Sequence, residues 1–372
     1  MSEPLVPPIC QSSVYTIADL DTLDRLYNGE ESGFIYARDG HPNAQHLADR
    51  LTQLESAKWS LVCGSGMAAI SACVLPLVRQ GDRIVASNRL YGRTTQLFRQ
   101  ELPRFGVQTT FVDCNDLDRV REELQTPPRI LFVETMSNPL CRTLDIPALA
   151  ELAKAAACRF IVDNTFATPH LAKPLEMGAD LVMESLTKMM GGHADVTLGS
   201  LSGREPELQL PAAQVASIWG LASNPFDCWL ALRGLETLGV RMSAATANAA
   251  ALADWLSQQP GVSRVVYPGR VDHSDHALAT RLLHGCYGNM MCFELAGGRD
   301  AVNGFMRSAP GVPFSPSLGA AKTTCSYPWA TSHRYDSPAE KRRQGIGDGL
   351  IRLSVGIEDL SAIRAEMGKG LK

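Results

Sequence analysis

Five short apolar runs recur between residues 82 and 185, and each ends on polar residues: "DRIVASN" (82–88), "VQTTFVD" (107–113), "RILFVET" (129–135), "RFIVDNT" (159–165) and "ADLVMES" (179–185). They read as strands buried on both faces. Between the third and fourth lies "IPALAELAKAAA", an alanine-rich helical pattern. Buried strands separated by helices fold as an α/β domain, a mainly parallel central sheet with helices on both faces. Such sheets bind ligands beyond the C-terminal ends of their strands. The polar residues collect at those ends, in "ASN", "ETMSNP", "VDNT" and "ESLTK".

The remaining segments fall on either side of this block. Residues 1–45 are rich in turn formers and read as an extended arm. "HLADRLTQLESA" has helical spacing, and "CGSGMAAISACVLPLV" runs from glycines into a second helix. A helical stretch over 226–259 is expected to bridge to a smaller α+β domain, whose strands are "NMMCFELAG" and "GLIRLSVGIED". With 372 residues the chain exceeds the single-core size of ~250–300 residues, so two domains are expected. The division predicted is an arm (1–45), a large α/β domain (46–232) and a C-terminal α+β domain (233–372).

Composition narrows the function classes. A net charge of −4 gives no reason to expect nucleic acid or an anionic membrane as partner. No apolar run approaches the ~20 residues of a membrane span. "MSEPLVPPICQSS" lacks the basic and apolar regions of a signal peptide, so a cytoplasmic protein is expected. The ten cysteines are scattered without a C-x-x-C, which fits reduced, mostly buried thiols. The eight histidines show no ligand spacing, and no metal is expected.

Four features carry candidate chemistry. Lys188 follows Ser185 and Thr187 and precedes a double glycine. It reads either as a strand-end lysine keeping its amine in water or as a nucleophile whose pKa burial lowers. The two hydroxyls, alternating with Leu186, suit phosphate oxygens but also simply end a strand. Asp163 follows four residues of apolar strand; it is either a turn or capping residue or the carboxylate partner of a cationic ring nitrogen. In "CGSGMAAI", glycines precede a helix and let backbone N–H groups approach a phosphate, although small residues are common before helices that bind nothing. Tyr91, in "LYGRT", is either a packed loop residue or the cover of a planar ring. Together, in this order, these meet the needs of pyridoxal phosphate: phosphate cradle, ring cover, pyridine partner and Schiff-base lysine.

From about residue 8 to 366 the chain resembles the trans-sulfuration, or Cys/Met-metabolism, family of fold type I pyridoxal phosphate enzymes. "YARDGHPN" resembles the family's Y-S-R-x-x-N-P-T, and "SGMAAI", "YGRT", "ETMSNP", "VDNTFATP", "SLTK..GGHAD" and "LIRLSVGIED" follow in the family's order. The resemblance implies that Lys188 carries the cofactor and shuttles protons. It implies that Asp163 binds the pyridine nitrogen and that Tyr91 stacks on the ring and protonates the leaving group. Gly66, Met67, Ser185 and Thr187 would hold the phosphate. Tyr36 and Arg38 would reach the phosphate of a neighbouring subunit in a homo-oligomer, typically a tetramer. Arg352 would clamp the substrate α-carboxylate, helped by Asn138 and Ser317.

Four positions depart from the family pattern. Glu184 stands in place of His, Met189 in place of Tyr, and His41 in place of Asn. Lys322, in "SLGAAKTTCSYPWATSHR", replaces the Glu associated with cystathionine enzymes; "KTT" resembles the homoserine-ester sulfhydrylases, and a lysine there would repel a second substrate ammonium. The expected activity is cleavage or formation of a C–S bond at the β or γ carbon of a sulfur amino acid. The alternative is γ-replacement on a homoserine ester. A non-catalytic regulator on the same fold is a third class, but no basic or helix-turn-helix segment precedes residue 46.

Overall fold

The computed structural model describes residues 4–371. All five predicted strands are present as β2 (Arg83–Ser87), β3 (Gln108–Val112), β4 (Ile130–Glu134), β5 (Arg159–Asp163) and β6 (Leu181–Glu184). Two further strands, β1 (Trp59–Cys63) and β7 (Gly199–Gly203), complete a seven-stranded sheet in the order β1-β7-β6-β5-β4-β2-β3. β3, β2, β4, β5 and β6 run parallel, and β7 is antiparallel to both neighbours. β7 reads "GSLSG" and has no apolar run, because the neighbours of its two end glycines leave no room for a side chain. A Cβ at Gly199 would lie 2.3 Å from the Ser65 carbonyl oxygen, and one at Gly203 2.7 Å from the Trp59 ring.

The two faces of this sheet support separate apolar cores. One includes Ile70, Val74, Ile84, Phe98, Phe132 and Ile161; the other includes Val85, Leu131, Val133, Leu149, Phe160 and Val162. Consecutive strand residues thus bury opposite faces, which is why these runs are apolar without alternation. The register sets Glu134 of β4 directly beside Asp163 of β5, and Asp163 beside Met183 of β6. Three carboxyls, Glu134, Asp163 and Glu184, therefore gather at the C-terminal edge of adjacent strands.

A second sheet holds β8 (Val262–Val266), β9 (Met290–Leu295), β10 (Thr324–Ser326) and β11 (Leu350–Ser354), all antiparallel in the order β10-β11-β9-β8. The stretch 226–259 is two helices, Pro225–Leu235 and Leu238–Leu256, rather than one. At the break Gly234 meets the Gly191 carbonyl, where a Cβ would come within 2.3 Å. At the other end of the chain, helix Leu20–Asn28 buries none of its residues and leaves Leu20 and Tyr27 exposed. All ten cysteines are free thiols, eight of them buried. Among the described residues no helix is long and apolar enough to cross a membrane.

Candidate active site

A cavity of about 930 Å³ opens beyond the C-terminal ends of β4, β5 and β6. Lys188 enters it from the turn after β6. The strand stops at Glu184, so Ser185 and Thr187 lie beyond it rather than on an extended strand. Both still line the cavity while Leu186 is buried in the core. Thr187 Oγ1 pins the turn by accepting from Leu198 N (3.1 Å) and donating to Leu198 O (3.2 Å). Behind it the buried Arg241 donates to the carbonyls of Met189 (2.7 Å), Met190 (3.2 Å) and Gly234 (2.8 Å). Met189 is thus a core residue whose carbonyl is also used, and its side chain lies outside the cavity lining.

Lys188 Nζ donates to Ser317 Oγ at 3.1 Å. Burial, and then the charge of Arg352, lower its pKa, which enlarges the fraction of neutral, nucleophilic amine. Arg352, on β11, is itself buried. It donates from Nη1 to Asn138 Oδ1 (2.8 Å) and from Nη2 to the Ser317 carbonyl (3.0 Å). Its buried Nε has no partner, and among the described residues no carboxylate forms an ion pair with it. Ser317 stands between the amine and the guanidinium and binds both.

Asp163 closes β5. Its Oδ1 accepts from Thr165 N at 3.0 Å, yet burial outweighs that bond and pushes its pKa up to about 6. No cation pairs with it among the described residues, so a cationic ring nitrogen would find an ion partner there. Beside it, Glu134 accepts the backbone N–H of Tyr91 and of Asn138; burial, then the nearby Asp163, raise its pKa well above the usual range. Glu134 thereby ties together the loops carrying two of the predicted site residues. Helix Gly66–Val74 points its N-terminus into the same cavity, with Ser65 as N-cap. A Cβ at Gly66 would sit 2.9 Å from Ser185 Cβ, so the glycine lets helix and turn close on one another.

Gly66, Met67, Tyr91, Asn138, Asp163, Ser185, Thr187, Lys188 and Arg352 all line this one cavity. Tyr36 and Arg38 do not; the Arg38 guanidinium lies 5.1 Å from the Tyr36 ring centroid, in the arm of the same chain. Lys322 is exposed and outside the cavity lining of this chain, while Thr323 turns inward to bond Glu358. His41 caps helix Pro42–Leu54, its Nδ1 accepting from Ala44 N. Sequence reasoning passed over Glu134, Arg241 and His333. Glu134 had a usable signal, since it ends an apolar strand as Asp163 does. His333 lines the cavity with the segment 330–336, and nothing in its local sequence marks it.

The model for the family described as "Cys/Met metabolism PLP-dependent enzyme" matches residues 2–372. The chain belongs to this family. Among its curated relatives, O-succinylhomoserine sulfhydrylase of Pseudomonas aeruginosa is 40% identical, over 93% of this chain and 85% of the relative. L-methionine gamma-lyase of Treponema denticola is 35% identical, over 99% of this chain and 92% of the relative. Among solved structures, cystathionine gamma synthase of Xanthomonas oryzae pv. oryzae, in complex with cystathionine, superposes with a TM-score of 0.93 at 34% identity. That match covers 99% of this chain and 92% of the other. As a member of the Cys/Met-metabolism family, this chain is a pyridoxal-phosphate-dependent enzyme of sulfur amino-acid metabolism, with trans-sulfuration chemistry at a C–S bond and an amino acid as substrate. Its cavity fits the cofactor on physical grounds. An open helix N-terminus suits the phosphate, a carboxylate without a cation suits the ring nitrogen, and a partly neutral lysine suits the aldehyde.

Proposed function

We propose that this chain is a C–S lyase acting on a sulfur amino acid at its β or γ carbon, with pyridoxal phosphate carried on Lys188. The observation that carries this reading is Arg352, a buried guanidinium with an unpartnered Nε and no counter-ion among the described residues, one serine away from a half-buried lysine. A buried charge left unpaired is costly. The α-carboxylate of an amino acid would supply the missing anion in a two-point contact, with Asn138 and Ser317 holding the guanidinium in place. The same contact sets the substrate Cα next to Lys188.

The bound cofactor supplies an electron sink for the charge left when the Cα proton departs. Lys188 Nζ takes that proton and returns protons to the substrate carbons. Asp163 would hold the ring nitrogen, Tyr91 would cover the ring and protonate the departing sulfur, and Gly66 and Met67 N–H with the Ser185 and Thr187 hydroxyls would receive the phosphate. Tyr36 and Arg38 reach the phosphate site of a neighbouring subunit, in a tetramer of two dimers. The helix Leu20–Asn28, which buries none of its residues, supports an arm made for a partner. The working division is arm 1–45, cofactor domain 46–232 and C-terminal domain 233–372, in a cytoplasmic protein.

A second reading, γ-replacement on an acylated homoserine, is favoured by the 40% identity with a sulfhydrylase. A product assay over cystathionine, cysteine, methionine and acyl-homoserine with sulfide separates the two. Keto acid and ammonia from the thioethers or thiol support the lyase. Turnover confined to the ester with sulfide supports the replacement enzyme, and no turnover of any overturns both.

A further inference from the structure

Glu184 ends β6 with its side chain wholly buried, and Glu55, just after helix Pro42–Leu54, is equally buried. The two carboxyls lie within hydrogen-bonding reach of each other. Glu184 Oε1 accepts from Asn164 Nδ2 at 3.1 Å, but Glu184 Oε2 and both Glu55 oxygens have no donor among the described residues. The charged groups facing the pair are few. Lys173 acts on Glu55 while its Nζ donates to Ser56 Oγ (3.1 Å), and Asp163 on β5 adds a further negative charge. β7 offers only Ser200 opposite Glu184. Two carboxylates in contact, buried and without a bound cation, do not both ionise.

We propose that Glu184 and Glu55 share one proton, and that the acid pair so formed positions Asn164 behind Asp163. The proton joins Glu184 Oε2 to one Glu55 oxygen and removes one negative charge from beside Asp163. It leaves Glu184 Oε1 free to accept from Asn164. The Asn164 amide also donates to the Ala172 carbonyl (2.9 Å), and its Oδ1 accepts from Thr135 Oγ1 (2.7 Å). The residue that follows Asp163 is thus held from three sides, and Glu184 is a positioning residue of the site. Burial pushes the Glu55 carboxyl up to about 8 and Glu184 well above the ordinary range. The proton-sharing half rests on the protein alone, and the positioning half rests on the cofactor reading.

The test is thermal unfolding of the purified full-length chain between about pH 5 and about pH 8, for wild type, Glu184→Gln and Glu55→Gln. Unfolded glutamates ionise near ~4.3, so wild type holds a proton that unfolding releases, and its stability falls as pH rises through this window. A glutamine supplies the missing donor as an amide N–H and lets the other glutamate ionise. Each variant should therefore gain in midpoint over wild type steadily with pH. A difference that stays constant overturns the shared proton. Should neither variant fold, the infrared C=O band of protonated carboxyls at neutral pH is compared between wild type and Glu134→Gln: a band that survives the loss of Glu134 supports the pair, and its absence overturns it.

For the positioning role, the readout is the pH midpoint of the bound cofactor's visible absorption. Glu184→Leu, which removes the acceptor of Asn164, should move that midpoint, and Glu184→Gln, which keeps an acceptor, should not. Equal midpoints in all three proteins overturn the positioning role. A colourless wild type overturns it together with the cofactor reading, while the unfolding series still tests the pair.

Discussion

At the scale of single residues, the site is a set of charges whose ordinary partners are missing. Arg352 illustrates the consequence. Lysine in its place keeps the charge but not the fork that spans Asn138 and Ser317 and leaves Nε free for a carboxylate. Arg352→Lys should lower kcat/KM by about 10- to 100-fold, the size of one or two lost charge-assisted hydrogen bonds; steady-state kinetics at unchanged cofactor content would check it, and an unaltered kcat/KM would remove Arg352 from substrate binding. Asp163 carries a pH prediction. Its raised pKa means that below about 6 the cofactor-free site holds a neutral acid and above it a carboxylate. Cofactor retention after dialysis should rise with pH through about 6 and level off above, and the step should vanish in Asp163→Asn. Lys188→Ala should abolish the covalent link, and a borohydride-reducible adduct in that variant would sink the assignment.

At the scale of elements, the lysine turn is held by a helix that starts 50 residues later. Arg241 reaches from helix Leu238–Leu256 to three carbonyls, two of them directly after Lys188. Arg241→Met would leave the Met189 and Met190 carbonyls without their side-chain donor, at a cost of about 3 kcal/mol. A lower unfolding midpoint by circular dichroism and faster loss of bound cofactor are expected. An unchanged midpoint would mean that the turn holds itself. The strands with local apolar runs, β2 to β6, were legible within about two residues, the usual uncertainty of element ends. β7 was not, because its glycines and serines answer to the helix and the Trp59 ring packed against them rather than to any pattern of their own.

At the scale of the whole molecule, two sheets meet around one cavity: β4, β5 and β6 contribute Glu134, Asp163 and the Lys188 turn, and β11 contributes Arg352. Tyr36 and Arg38 lie outside that cavity, in an arm whose helix buries none of its residues. If the arm serves a neighbouring subunit, an inactive mixture should regain activity. Lys188→Ala and Arg38→Ala proteins, unfolded, mixed and refolded together, should recover about a quarter of wild-type activity, because one site in four receives both intact parts at random pairing. Recovery of none would place the arm's function within its own chain.

The amino-acid sequence by itself determined the mainly parallel α/β sheet and the order of the motifs along it. Each of these rests on local periodicity or on residues adjacent in the chain. Tertiary structure alone decided which charges lack partners. Arg352 was indistinguishable in sequence from an alternating strand residue, and nothing local told that Lys322 is exposed while Arg352 is buried in the cavity wall. The contact between Glu55 and Glu184 joins residues 129 positions apart. Burial and electrostatics depend on what surrounds a group in space, and only the packed fold assembles those surroundings.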